Sequence, residues 1–278
     1  MVDLLPPILC APLLHIVDSR LVEVLRSLAP QDWDRPTIVP GWQVRDVAAH
    51  LLDTVLRKLS LVRDGWVVDK PEIRSHADVV QLVNRLNREG VAVYRRFSPA
   101  LLCEWMETAC LQSAVFHESL DPYAPAVFPV SWAGEAESLN WFDTARELTE
   151  RWHHQQQIRE AVHCPDLYDR ELYHPVLDCF LRGLPHQYRD VAAWSGCRIQ
   201  LRVTGDAGGL WELRRDGDAW RLVLPKPDKA DTKITIPQEV AWKIFTKAMP
   251  LAGARAVVGI EGNADLALAA LQLTAIVA

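Results

Sequence analysis

The chain has 278 residues, 49% of them hydrophobic and 24% charged, which is ordinary for a globular protein and leaves sequence for two modest domains. Its formal charge of -6 argues against nucleic acid or an anionic membrane surface as the main partner. Six cysteines without a CxxC pair predict free thiols in a reducing cytoplasm rather than a disulfide framework.

The chain opens Met1-Val2-Asp3-Leu4-Leu5-Pro6-Pro7, without a basic stretch, and Asp18 and Arg20 interrupt the apolar run that follows. Neither a signal peptide nor a membrane span is expected. Leu13, Leu14, Val17, Leu21, Val24 and Leu25 recur at helical spacing and predict a first amphipathic helix. A proline-punctuated loop follows, from Arg35 to Trp42. The next helix carries Val44, Val47, Ala48, Leu51, Leu52 and Val55. Further helices are predicted near 75–97, near 99–118 and at roughly 140–162. One more is expected to start at about Pro175, a residue suited to a first helical turn, and to run towards Trp194. Four long helices joined by loops predict an antiparallel bundle.

After Gly196 the period changes from helical to alternating. Ile199, Leu201 and Val203 alternate, as do Trp211 with Leu213 and Trp220 with Leu222 and Leu224. Asp216-Gly217 between the last two runs predicts a tight hairpin, because both residues tolerate positive φ. A short strand at Ile234 and Ile236, a helix from Gln238 to Lys247, a strand around Ala256-Val257-Val258 and a closing helix from Ala264, capped by Asn263, complete the pattern. The second half reads as a small α+β domain, with its boundary between Cys164 and Gly196. Eleven tryptophans are expected mainly in core and hairpin packing, or else around an aromatic-lined pocket.

The most specific chemistry lies in Trp141 to Gln157. The segment has no Gly or Pro, and it places Glu150 and His154 one turn apart on one helix face. A carboxylate and an imidazole at that spacing can grip one divalent metal, and a third ligand from another helix would complete a His₂Glu set with an open position. Two stripes run along this helix. Trp141, Ala145, Leu148 and Trp152 form the apolar one; Asp143, Glu147, Glu150, His154 and Gln157 form the polar one. The polar stripe either meets water or, in a bundle that buries both sides, faces a central cavity.

His50 is the best candidate for the third ligand, with Asp46 and Asp53 one turn either side to accept from its other ring nitrogen. His153 is turned about 100° from His154 and should not share its ion. His117, His163, His174 and His186 are expected to be structural. Glu147 is a candidate base or hydrogen-bond acceptor. Arg57, Arg182 and Arg198 are available to meet a carboxylate substrate.

The run Pro40-Gly41-Trp42-Gln43-Val44-Arg45-Asp46-Val47-Ala48-Ala49-His50-Leu51-Leu52 resembles the signature of the maleylpyruvate isomerase N-terminal domain family, which belongs to the DinB/YfiT-like superfamily of metal-binding four-helix bundles. The segment Arg146 to Ala161 resembles that family's second metal motif. The resemblance implies a DinB-like helical bundle over 1–170, with His50, Glu150 and His154 as metal ligands and water or a thiol in the fourth position. It implies a linker helix and a small, sterol-carrier-like α+β domain over 171–278, carried by Gly205 to Trp211 and Val258 to Gly262. Many members have Asp three residues after the second histidine, where this chain has Gln157.

The chemistry implied is that of a thiol such as mycothiol, held as thiolate on the metal, which adds to an activated double bond of a small unsaturated acid. Rotation and loss of the thiol isomerise the bond; keeping the adduct makes the enzyme an S-transferase. Zinc is the first expectation for the metal, with nickel, iron or manganese also suited to these ligands. A metal-dependent hydrolase that uses no thiol and a non-catalytic metal- or small-ligand-binding protein are the alternatives.

Overall fold

The computed structural model describes residues 4–68, 71–226 and 230–277. The chain divides into two compact units. One comprises 9–128 and 138–167 together with the extreme C-terminus, and the other 1–8, 129–137 and 168–276.

The first unit is helical. Its elements are α1 (Leu13–Ser27), α2 (Val44–Lys58), α3 (His76–Tyr94), α4 (Pro99–Ser119) and α5 (Asn140–Val162). Helix α1 packs on α4 and α5, and α2 packs on α3, α4 and α5. The apolar stripes read from the sequence meet here: Leu21, Leu25, Val44, Val47, Leu51, Leu52, Leu102, Met106 and Ile158 share one core. Local chemistry sets the ends. Ser75 and Asp78 form a reciprocal capping box at the start of α3, and Ser98 accepts from Leu101 N ahead of Pro99 in α4. Helix α2 starts at a similar box, in which Asp46 accepts from Gln43 N at 3.0 Å. His163 closes α5 in the left-handed region at φ 57°.

The second unit contains α6 (Arg170–Leu181), a short α7 (Leu184–Gln187), the strands β1 (Arg198–Thr204), β2 (Gly209–Asp216), β3 (Ala219–Val223) and β4 (Thr232–Pro237), then α8 (Gln238–Phe245), α9 (Leu251–Val257), β5 (Gly259–Gly262) and α10 (Ala264–Leu271). The sheet has the order β3-β2-β1-β4-β5, with β1 and β4 parallel and the other pairs antiparallel. It is an α+β arrangement whose inward row includes Ile199, Leu201, Val203, Trp211, Leu213, Ile234 and Ile236, all buried. The β2–β3 hairpin turns through Gly217 and Asp218, one residue later than the pattern predicts: Asp216 is still in β2, opposite Ala219, and Gly217 takes the left-handed conformation at φ 59°.

Two further expectations are corrected. Pro175 is inside α6 rather than at its start, and the helical run breaks at Gly183 instead of continuing towards Trp194. A helix-interior proline loses its own N–H bond and crowds the carbonyl four residues back, and tertiary packing of Leu172, Tyr173, Val176 and Leu177 outweighs that cost. Ala256 and Val257 end a helix, and the strand begins three residues later than expected, at Gly259. A short β-branched run does not distinguish a strand from a helix end by periodicity alone.

Candidate metal centre

Helix α5 is the backbone of the site. Its apolar stripe is anchored by Trp152, which is fully buried and donates Nε1–H to the Leu167 carbonyl at 3.0 Å. The polar stripe is largely buried as well, and so does not meet water as an ordinary surface face would: Asp143, Glu147 and Gln157 are all shielded.

Ligand atoms of His50, Glu150 and His154 all lie within 4.8 Å of one another. His50 comes from α2, and the other two from successive turns of α5. The His50 and His154 rings meet edge to face at 4.6 Å between centroids, and Trp42 packs edge to face on His50 at 5.2 Å. Glu150 Oε2 is 3.5 Å from His154 Nε2. Two ligands each about 2.1 Å from a tetrahedral ion stand about 3.4 Å apart, so this spacing suits a shared cation.

The proton positions agree with that fit. His154 Nδ1 is 2.8 Å from Gln157 Oε1. An amide oxygen only accepts, so Nδ1 carries the hydrogen, and Nε2 in the neutral ring presents a lone pair towards the Glu150 carboxylate. A lone pair facing a carboxylate calls for a cation between them. His50 Nδ1 is buried without a hydrogen-bond partner, an arrangement that is costly unless something else satisfies the ring. Burial and the neighbouring His154 both press the His50 pKa well below its ordinary value, which keeps the ring neutral and able to ligate. At Glu150 burial opposes ionisation, but the surrounding histidines outweigh it and hold the carboxyl well below its usual range.

The neighbours expected to orient His50 do not do so. Asp46 is turned back to cap its own helix and pairs with Arg95 at 3.0 Å, and Asp53 pairs with Arg57 at 2.9 Å. Both carboxylates have closer cationic or backbone donors than the imidazole. His153 is turned away from the three-ligand group: its Nδ1 donates to the Thr149 carbonyl at 2.7 Å, and burial lowers its pKa to about 3.

Glu147 lies in an ion network that sequence spacing did not reveal. Lys58 Nζ is 2.5 Å from Asp143 and 3.4 Å from Glu147, and Arg146 reaches the same two carboxylates at 2.6 and 2.8 Å. Burial would push the Glu147 carboxyl up, but Lys58 and Arg146 together hold it at about 2. A second buried pair joins Arg151 to Asp18 at 2.5 Å, with Ser113 accepting from the same guanidinium. The signal available in the sequence was the density of charged residues on both sides of α5; their partners lie 85 and 133 positions away. Of the arginines considered for an anionic substrate, Arg57 is tied to Asp53 and Asn87, Arg182 to Asp178 and the Pro6 carbonyl, and Arg198 to Glu212 through two bonds of 2.9 Å. His117 is buried on α4 beside Thr144, and burial lowers its pKa to about 4.

Among the described residues no helix is long and apolar enough to cross a membrane. No curated protein matches the sequence significantly. The fold is similar to the crystal structure of a mycothiol-dependent maleylpyruvate isomerase, with TM-score 0.55 and 11% identity over 88% of this chain and 90% of the other. A histidine-to-alanine mutant of such an enzyme gives 0.53 and 10%, over 92% and 93%. At these identities the likeness is one of fold. The sequence profile of the mycothiol maleylpyruvate isomerase N-terminal domain matches residues 14–159, which include all three candidate ligands. With more than half of its length matched, the chain belongs to the mycothiol maleylpyruvate isomerase N-terminal domain family.

Proposed function

We propose that the protein is a divalent-metal-dependent enzyme that uses a low-molecular-weight thiol to isomerise or conjugate a small unsaturated acid. The observation that carries the reading is the convergence of His50, Glu150 and His154, with one imidazole nitrogen orphaned and another presenting its lone pair to a carboxylate. Family membership supplies the thiol, and mycothiol is the form its name points to. The proposal takes 1–170 as a DinB-like four-helix bundle and 171–278 as a linker helix with a sterol-carrier-like domain. Six cysteines with no disulfide among the described residues suit a reducing compartment such as the cytoplasm.

His50, Glu150 and His154 would hold the ion, zinc being the first choice for two imidazoles and a carboxylate. When bound, the metal supplies Lewis acidity that lowers the pKa of a thiol in the remaining position. Gln157 keeps the proton on His154 Nδ1 and so leaves Nε2 free. Trp42 fixes the plane of the His50 ring from its edge. Glu147, held ionised at about 2 between two cations, serves as fixed charge; a group so acidic is ill suited to take a proton near neutral pH.

Metal content of tag-free protein, read by elemental mass spectrometry beside a His50→Ala variant, tests the site. About one equivalent in the parent and little in the variant is the expected result. Equal content in both, or none in either after reconstitution with zinc, nickel and manganese, would overturn it. With the metal established, turnover of unsaturated acids only when a thiol is present supports the thiol chemistry; turnover without thiol would assign the site to hydrolysis.

A further inference from the structure

The stripe that carries Glu150 and His154 continues one turn further back along α5, to Arg146. Residues 146, 150 and 154 succeed one another at intervals of four, about 6 Å of helix axis each. All three side chains remain partly accessible, at 21%, 25% and 12%, whereas Lys58 behind them is sealed at 6%. The guanidinium is held from one side. Its Nε and Nη2 donate to Asp143, and Nη2 also donates to Glu147. Nη1 has no partner among the described residues, and it is not one of the fully buried unsatisfied atoms.

Charge counting gives this free edge its meaning. Asp143 and Glu147 carry two negative charges, and Lys58 and Arg146 carry two positive ones, so the cluster is neutral with Lys58 closing its inner side. Were Arg146 needed only to neutralise the two carboxylates, both of its terminal nitrogens could be turned inward. Instead one is left without a partner, on a residue that helical spacing places one turn from Glu150 on the same face of α5.

We propose that Arg146 Nη1 is the carboxylate-binding subsite of the centre, receiving one carboxylate of a small unsaturated acid whose reactive carbons lie towards Glu150 and His154. The inference rests on the metal-site reading above and assigns to it a class of substrate, a mono- or dicarboxylate short enough to span about one helical turn. Asp143 and Glu147 act as positioning residues that fix the guanidinium plane. A guanidinium held in one orientation loses little entropy when it binds a carboxylate.

The test uses the full chain loaded with cobalt(II), whose visible spectrum reports its ligands. Maleate and 2-mercaptoethanol are titrated separately into the parent, Arg146→Gln and Arg146→Lys. Arg146→Gln should weaken maleate at least tenfold and Arg146→Lys less, while cobalt affinity and the thiolate absorption produced by mercaptoethanol stay within twofold of the parent. A purely structural role for Arg146 would shift both ligands or neither. Maleate binding unchanged in Arg146→Gln, with cobalt bound normally, would overturn the subsite alone. Failure of the parent to bind cobalt would overturn the metal reading and the subsite with it. If Arg146→Gln does not fold, the lysine variant decides: maleate binding equal to the parent's would overturn the proposal.

Discussion

The Gln157 amide accepts the His154 Nδ1 hydrogen at 2.8 Å and thereby decides which ring nitrogen is free to ligate. Partners of this kind typically change metal affinity by about 10- to 100-fold when removed. Gln157→Leu should therefore lose at least about tenfold in affinity for zinc, measured by competition with a chromophoric chelator. Gln157→Glu should bind at least as tightly as the parent, because a carboxylate raises the basicity of the ring it accepts from. His153→Ala should change affinity by less than twofold, its ring being committed to the Thr149 carbonyl. Gln157→Leu binding as well as the parent would remove the amide from the site. The pairing of Glu150 with His154 was legible in the sequence because both share one helix face, where spacing alone fixes their separation; the approach of His50 depends on how α2 packs on α5. The free edge of Arg146 was not legible: it depends on where Lys58, from another helix, puts its charge.

At the scale of elements, α5 carries charge on a face that the bundle buries, and its stability depends on compensation from α1 and α2. Lys58→Met leaves Asp143 and Glu147 with Arg146 alone, and removing one partner of a buried pair costs about 3–5 kcal/mol. Urea unfolding of the metal-free protein should show a loss of that order, and a loss below about 1 kcal/mol would mean that the network is solvated in solution. The same residues set an acid limit. Glu147 has a folded pKa of about 2 against an ordinary 4.5. The unfolded chain therefore binds the proton first, and the stabilisation present above pH 4.5 is lost as the pH falls towards 2. His117, lowered to about 4 from 6.5, acts in the same direction: the unfolded state protonates first, and stability declines as the pH falls from 6.5 towards 4. Urea midpoints taken with a chelator present should fall across both windows, and His117→Gln should flatten the upper one. Helical periodicity made α1 to α5 readable from sequence, since neither Gly90 inside α3 nor Pro99 in the first turn of α4 interrupts it. Pro175 misled it because burial of its neighbours outweighed local preference, and the 256–258 run because so short a stretch reads alike as a strand or a helix end.

For the whole molecule, the division into a helical unit and a sheet unit bears on what metal binding stabilises. All three candidate ligands belong to the helical unit. A ligand that binds only the folded state stabilises it by about 2.7 kcal/mol when its free concentration is 100 times Kd. That increment applies to every opening that breaks the site, and to none that leaves it intact. Both α2 and α5 must be formed for the ligands to converge, so their amides should gain hydrogen-exchange protection on zinc binding, by up to about 100-fold at that saturation. Amides of β1 and β2, whose ladder contains no ligand, should gain protection only if they open in the same event as the helices. Exchange measured by mass spectrometry with and without zinc separates the cases. Protection confined to α2 and α5 would show that the helical unit opens by itself, and equal gains throughout would show one cooperative molecule. Gains in the strands without gains in α5 would contradict a site built from His50, Glu150 and His154. Neither the change of period after Gly196 nor the family likeness predicts which of the first two holds, because cooperativity of unfolding is not encoded in any local pattern.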